Sequence, residues 1–551
     1  MESIDLNDIP YAASARYVEE KECLPGTREG VIQEICDILN DPAEDAPRVC
    51  LLTAIAGSGK SAVAHPIARL YDGQQRLGSS YCFLRSDVVK RNPQNVFSTI
   101  SRDLSDHDPE FKSALWKVVK DNRALRTSVS PSEQVKQLII GPSKNIDSIG
   151  PLIVVVDAID ESGEKGDRQQ LLDVLSQQFT ERKLPSNLCF LITARPETDI
   201  LDALPAGPQI VHKHLGDVPQ ATVDEDIGKF IRHSLSRYPE FESSWPNEEW
   251  CKLLVWQSQR LFQWASTACK FIRGHDSDGL DPSERFQMLL LTDNRSGVLP
   301  LDNLYQTILA QLFTQPDAHD RFREVMAIVL ALKEPLSLTS LSALFGKDPK
   351  VRNIIKPLGS LLDGVLDEER PICPLHTSFR DFLLDEHRSS SFHLDILPRH
   401  HLFLGHALVA SMQNMLKFNI CDLKDSRLRN TEVPDLTSRV TKAIPPHLAY
   451  SCQYWMGHIQ HAEGSAELLD KITLFFKDFF PFWLEAISLL SLSSPVSYIL
   501  AAAETCAILK KWAKVGSNMM IIDKFNDYIT RTMRFTLWHW RCPNSFKCLP
   551  L

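Results

Sequence analysis

The sequence predicts a parallel α/β domain built round a phosphate-binding turn, followed by mostly helical regions. Three observations lead there. Apolar runs rich in β-branched residues recur at residues 49–54, 80–84, 152–157, 188–193 and 210–215, with helical patterns such as 95–104 and 169–179 between them. Strand–helix alternation of this kind builds a parallel sheet covered on both faces. The first run leads straight into AIAGSGKS, from Ala54, a glycine-rich turn that opens a helix. After residue 216 the strand signals nearly vanish, and the spacing at 226–235, 250–273 and 301–314 predicts amphipathic helices.

The turn carries the chemistry. Backbone N–H groups converge on phosphate oxygens only where the loop lacks bulky Cβ atoms, as at Gly57, Ser58 and Gly59. The helix opened by Lys60, Ser61 and Ala62 then presents unpaired N–H groups and the positive end of its dipole. Lys60 supplies a cation to the phosphates, and the Ser61 hydroxyl is a hard oxygen ligand for Mg²⁺. Two departures from the P-loop pattern stand out. Ala54 replaces the first glycine, which is tolerable only at negative φ. Pro66 lies inside the helix, where it removes one ladder bond and should kink it.

The strand at 152–157 ends in Asp157 and continues as AIDESG. A carboxylate at the end of an apolar parallel strand is costly to bury without a cation, so Asp157 is the expected Mg²⁺ partner. Asp160 and Glu161 are candidates for polarising an attacking water. The strand at 188–193 runs into Arg195, which can reach a terminal phosphate, because strand C-termini face the ligand crevice of such a sheet. Arg85 follows the strand at 80–84 and is placed on the same edge.

Composition bounds the rest. With 551 residues the chain is too long for one core and implies about three or four domains. Its 43% hydrophobic and 24% charged residues are those of an ordinary globular protein. A net charge of −10 offers no basic field, so no nucleic-acid partner is expected. The 13 cysteines lie singly, Cys542 and Cys548 being the closest two, which gives no zinc or dithiol spacing and fits a reducing, cytoplasmic setting. The N-terminus has no apolar signal core. The apolar stretch between Glu485 and Glu504 is broken by Pro495 and serines, so it reads as two buried helices rather than a membrane span.

Residues 320–400 predict helices at 321–332, 338–345 and 351–362, the last with a break at Pro357, then a hairpin around 367–371 and a further helix. Three helices and a hairpin of that size suggest a winged helix. Its candidate third helix carries only Arg352 and Lys356 as bases, too few for DNA phosphates. Beyond residue 400 the chain reads as helical with aromatic clusters and no clean repeat, and 537–551 has no periodicity.

Together these motifs resemble the NACHT group of signal-transducing (STAND) NTPases, and among them the nephrocystin-3-like N-terminal version found in many fungal proteins. The resemblance runs through CLPGTREGVI (from Cys23), AIAGSGKSAVA (from Ala54), VVVDAIDES (from Val154), ITARPE (from Ile192), LFQWASTACKFI (from Leu261), LDNLYQTIL (from Leu301) and LHTSFRDFL (from Leu375), about residues 20 to 390. It extends more weakly to YSCQYWMGHI (from Tyr450). It implies an α/β P-loop NTPase fold with sheet order 5-1-4-3-2, then a helical domain, a winged helix and a C-terminal all-α region. The corresponding boundaries are a short extension at 1–20, the NTPase domain at 21–216, the helical domain at 217–319, the winged helix at 320–400 and the helical region at 401–551. It places His376 where related receptors contact nucleotide phosphates, and Thr27 and Arg28 on the adenine side. Arg260 stands where the family often has glycine.

The expected function is an intracellular switch that binds ATP or ADP with Mg²⁺, GTP being the alternative base. Slow hydrolysis resets it, and domain opening with self-association, or docking to a signalling protein partner, is the output. Two rivals remain: a turnover ATPase and a nucleotide-binding scaffold without turnover. No N-terminal effector domain and no C-terminal sensor repeat is read in the chain.

Overall fold

The computed structural model describes residues 6–490, except 44, 86, 88, 121, 127, 129, 145, 147–149, 164, 181–183, 186, 237–247, 275–280, 291–298, 347–348, 425–427 and 429. The chain divides into two compact units, Met1–Ile308 with Leu375–Asp381, and Leu309–Pro374 with Phe382–Leu551.

The first unit is built on a five-stranded sheet of β1 (Val49–Thr53), β2 (Leu77–Cys82), β3 (Leu152–Asp157), β4 (Leu188–Ala194) and β5 (Ile210–His214). All pairings are parallel and the order is β2-β3-β4-β1-β5. Read from the other edge this is 5-1-4-3-2, the order the resemblance implied. β1, β3 and β4 are almost wholly apolar because both of their faces are covered. Val49, Leu51, Val154, Val156, Phe190 and Ile192 face one core, and Cys50, Leu52, Ile153, Val155, Cys189 and Leu191 the other. Helices α1 (Glu29–Leu39) and α2 (Lys60–Gly73) close the second core through Leu39, Ile67 and Tyr71. Helix α3 (Val96–His107) and the helix Lys165–Thr180 close the first through Phe97, Ile100 and Leu171.

Two elements differ from the sequence expectation. β2 starts three residues earlier than 80–84, at Leu77, because Gly78 and Ser79 carry no apolar signal although the strand is buried there. Ser79 Oγ donates to Asp103 at 2.6 Å, and Ser80 Oγ accepts from the Tyr17 amide at 3.1 Å, so the hydroxyls are satisfied inside. The single helix expected at 250–273 is two, Glu248–Ser258 and Phe262–Arg273, because Gln259 and Arg260 adopt left-handed φ of 43° and 65°. That conformation explains why glycine suits the place of Arg260. The break expected at Pro357 within 351–362 is present: the helix ends at Ile355, before a short 3-10 turn that contains Pro357.

The N-terminal residues pack as part of this unit. Leu6, Ile9, Ala12 and Ala15 join the first core. The segment then crosses α2, with Glu22 paired to Arg69 at 2.8 Å and Tyr17 Oη donating to Asp72 at 2.7 Å.

In the second unit, helices Pro316–Ala331, Leu338–Leu344 and Pro349–Ile355 precede a two-stranded antiparallel hairpin, Leu362–Asp363 with Cys373–Pro374. Ser337 caps the second helix by accepting from the Ser340 amide at 3.2 Å. Helices Pro398–Met415, Pro446–Ile459, Ala466–Asp478 and Phe480–Leu489 follow, round a core of Trp455, Phe475 and Trp483. Among the described residues no helix is long and apolar enough to cross a membrane. The stretch between Glu485 and Glu504 lies largely outside the described residues, and 537–551 wholly so.

Ile9 is 1% exposed in the sheet core. Ile9→Ala should therefore lower stability by about 2–4 kcal/mol in urea unfolding. An unchanged midpoint would show that the N-terminal segment does not belong to the folded unit.

Candidate functional site

The site grows from the C-terminal ends of β1, β3 and β4. β1 ends at Thr53, and Ala54 remains buried, its amide donating to Ala194 at 3.3 Å. Ala54 is not among the residues of positive φ, so its Cβ is accommodated. The turn bends through Gly57 (φ 82°) and Gly59 (φ 95°), which caps α2. A Cβ on Gly57 would come within 3.0 Å of Gln263 Cβ, and the Gly57 carbonyl accepts from the Gln263 amide at 3.0 Å. The loop is thus wedged against the start of the helix Phe262–Arg273. Lys60 Nζ folds back onto the Ala54 and Ile55 carbonyls at 2.8 and 3.3 Å. Burial pushes its ammonium below the usual pKa, opposed chiefly by Asp160. Ser58 Oγ closes the turn on the Ile55 carbonyl at 2.8 Å, while Ser61 and Ala62 form the first turn of α2.

Pro66 does not interrupt α2. It leaves the Ala62 carbonyl without a helical donor, and the Cys23 amide takes that place at 3.1 Å.

Asp157 is 2% exposed at the end of β3. Burial alone would raise its pKa. A hydrogen bond and the charge of His65, with bonds from Thr193 and Ser61, outweigh that and hold it down to about 2. Thr193 Oγ1 donates to Oδ1 at 2.5 Å, and His65 Nε2 lies 3.5 Å from Oδ2. Asp157 is therefore an ionised carboxylate beside the first turn of α2.

Asp160 and Glu161 follow on a short helical turn that begins after Ala158, at a left-handed φ of 56°. Asp160 is committed: its two oxygens take the Arg195 amide at 3.0 Å and Arg195 Nε at 3.1 Å. Glu161 accepts from the Arg85 amide at 3.0 Å, and burial pushes its pKa up to about 7. Of the two acids, Glu161 is the one suited to exchanging a proton near neutral pH.

Arg195 is fully engaged. Besides Asp160 it binds Asp381 through Nη1 at 3.0 Å and Thr377 Oγ1 through Nη2 at 3.0 Å. Arg85 reaches the other Asp381 oxygen at 3.5 Å. The segment Leu375–Asp381 belongs to the first unit, and these pairs fasten it to the ends of β4 and β2. It carries His376, whose pKa is lowered to about 4 by burial and by the positive charges of Arg195 and Lys60. The ring is neutral at pH 7. Its Nδ1 accepts from the Ser378 amide at 3.1 Å, so the proton sits on Nε2, which makes no hydrogen bond among the described residues.

Thr27 and Arg28 open α1. The Thr27 hydroxyl donates to the Leu24 carbonyl at 2.6 Å and closes the turn. Arg28 is 5% exposed, lies over the Phe262 ring at 4.7 Å and donates to the Ser58 carbonyl at 2.9 Å. Its Nε and Nη1 have no hydrogen-bond partner among the described residues. An Arg buried with two orphaned donors, touching the glycine-rich turn, is suited to an anionic or polar ligand.

Sequence reasoning missed His65, Thr193, Thr377 and Asp381. Thr193 was within reach, since it closes the strand that leads to Arg195. The others are brought in by packing over long sequence separations.

Residues 27–195 match the family model described as Nephrocystin 3, N-terminal, a family associated with NACHT domains. The match spans the glycine-rich turn, the Asp157 strand and Arg195. No curated protein matches the chain.

The raised pKa of Glu161 has a consequence for stability. Between pH 4.5 and 7 the folded chain holds a proton that the unfolded chain has released, so stability falls as pH rises through that window. Glu161→Gln should show a shallower loss of stability than the parent over that range in denaturant titrations. Parallel profiles would contradict the buried environment assigned to Glu161.

Proposed function

We propose that the first unit binds ATP or ADP with Mg²⁺, and that the chain is a nucleotide-dependent signalling switch of the NACHT (STAND) type, with GTP as the alternative base. The observation that carries the reading is convergence. Lys60, Ser61, Asp157, Glu161, Arg195 and His376, from widely separated parts of the sequence, act on one another electrostatically round the mouth of one glycine-rich turn.

The donor set suits the proposed ligands. The loop amides, the α2 N-terminus and Lys60 favour phosphate, and Arg28 has unused donors beside the same loop. Ser61 and Asp157 offer the hard oxygens that Mg²⁺ takes, one of them held ionised. Bound Mg²⁺ would supply charge that neutralises the phosphates. Lys60 exchanges its two loop carbonyls for phosphate oxygens, and Glu161 takes up a proton from an attacking water.

The switch lies in the segment Leu375–Asp381. The neutral His376 offers Nε2–H to a diphosphate, which favours the docked segment. A third phosphate competes with Asp381 for Arg195, which favours its release. A ligand shifts such a balance only by its difference in affinity for the two states, and these two contacts supply one. Release of the segment is the event that leads to self-association or to a signalling partner. In this reading residues 320–400 act as a winged helix, after a helical domain at 217–319 and before the helical region from 401.

The test is a direct titration of diphosphate with Mg²⁺, alongside light scattering. Lys60→Ala should lose at least about ten-fold in affinity, as expected for a charged hydrogen bond. His376→Ala should weaken diphosphate binding and raise self-association. Affinities unchanged in both variants would sink the reading.

A further inference from the structure

We infer that His65, Cys82 and Asp157 form a binding site for one divalent transition-metal ion of the zinc class. The inference goes beyond the nucleotide reading and does not rest on it. The three side chains are 1%, 6% and 2% exposed. They come from α2 and from the last residues of β2 and β3, where Cys82 and Asp157 are register partners in the sheet. His65 Nε2 lies 3.5 Å from Asp157 Oδ2 and 3.7 Å from Cys82 Sγ, and the three donor atoms all lie within 4.8 Å of one another.

The two separations from His65 Nε2 are close to those of ligands round one ion, and the third edge of the triangle is no longer than 4.8 Å. Donors at about 2.0–2.3 Å from a tetrahedral metal stand roughly 3.3–3.6 Å apart. At 3.5 Å the His65–Asp157 contact is a long, weak hydrogen bond, so little is lost when an ion takes its place. Imidazole, thiolate and carboxylate together select a borderline-soft ion over Mg²⁺, which gains nothing from sulfur.

The surroundings are those of a ligand set held in place. Val18 presents its carbonyl to His65 Nδ1 at 3.0 Å and its amide at 2.9 Å. The bond from the amide makes Nδ1 an acceptor and puts the ring proton on Nε2. A metal on Nε2 takes the place of that proton, the ring changes tautomer, and the Val18 carbonyl then accepts the proton from Nδ1 and fixes the ring. Thr193 occupies Asp157 Oδ1 and leaves Oδ2 for the ion. The half-buried Ser61 hydroxyl also bonds Asp157 and is the nearest further oxygen donor named beside the cluster. Cysteine spacing in the sequence carried no sign of this arrangement, because its members are far apart in the chain. An ion bound here withdraws Oδ2 of Asp157 from any other metal, so zinc-class ions would oppose Mg²⁺ at that carboxylate.

The test uses the full chain, stripped with chelator and titrated with Co²⁺. One equivalent should produce a thiolate-to-cobalt charge-transfer absorption that Zn²⁺ abolishes and excess Mg²⁺ does not. Cys82→Ser should remove the band, and His65→Gln should lower Co²⁺ affinity by at least about ten-fold. Cys189→Ser, a buried cysteine of β4, should leave the band intact. Circular dichroism of each variant, together with a Zn²⁺-induced rise in melting midpoint confined to chains that keep all three ligands, separates loss of the site from loss of the fold. Absence of the band in the parent chain, or an undiminished band in Cys82→Ser, overturns the inference.

Discussion

Asp157 is an ionised carboxylate buried at the C-terminal end of β3, on a strand that is otherwise apolar, and much of the first unit is arranged to keep it so. Burying that charge costs several kcal/mol unless donors replace the lost water. Thr193 at the end of the neighbouring strand, His65 one turn into α2 and Ser61 at its start supply them. His65 is held in turn by the backbone of Val18, which draws the N-terminal segment across α2. The same segment satisfies the carbonyl that Pro66 leaves bare. Sheet order, helix entry and N-terminal packing all meet at one side chain.

A second tie runs from Arg195. It joins Asp160 on the β3 side to Thr377 and Asp381 on a segment that returns from far along the chain. Partly buried Arg–carboxylate pairs of this kind give geometric specificity more than net stability. Their effect is to hold His376 beside Lys60 and Arg195, which keeps the ring neutral. Any ligand that competes for Arg195 acts on the placement of His376 as well. That linkage is what the proposed switch would act through.

The sheet was legible chiefly because β1, β3 and β4 are buried on both faces and so read as nearly unbroken apolar runs. The start of β2 was misplaced because Gly78 and Ser79 carry no apolar signal, and the Asp103 partner of the buried Ser79 cannot be read from local pattern. The break at Gln259–Arg260 was hidden because neither residue type signals a left-handed backbone. In the site, Lys60, Ser61 and Asp157 were legible from strand-to-turn chemistry alone. Arg195 was legible as a strand-end residue, but its partners were not, since Asp381 reaches it only through the fold. His65 gave no signal: a histidine on the inner face of a helix reads as packing until the neighbouring strand ends are known.

The central claim is that the ends of β1, β3 and β4 hold a purine nucleotide with Mg²⁺. Native mass spectrometry of the full chain with Mg²⁺ and ADP, ATP or GTP tests it most directly. The account predicts one nucleotide per chain, with a Mg²⁺ adduct that Asp157→Asn loses while nucleotide without metal is retained. A chain that carries no nucleotide adduct at saturating ligand would contradict it.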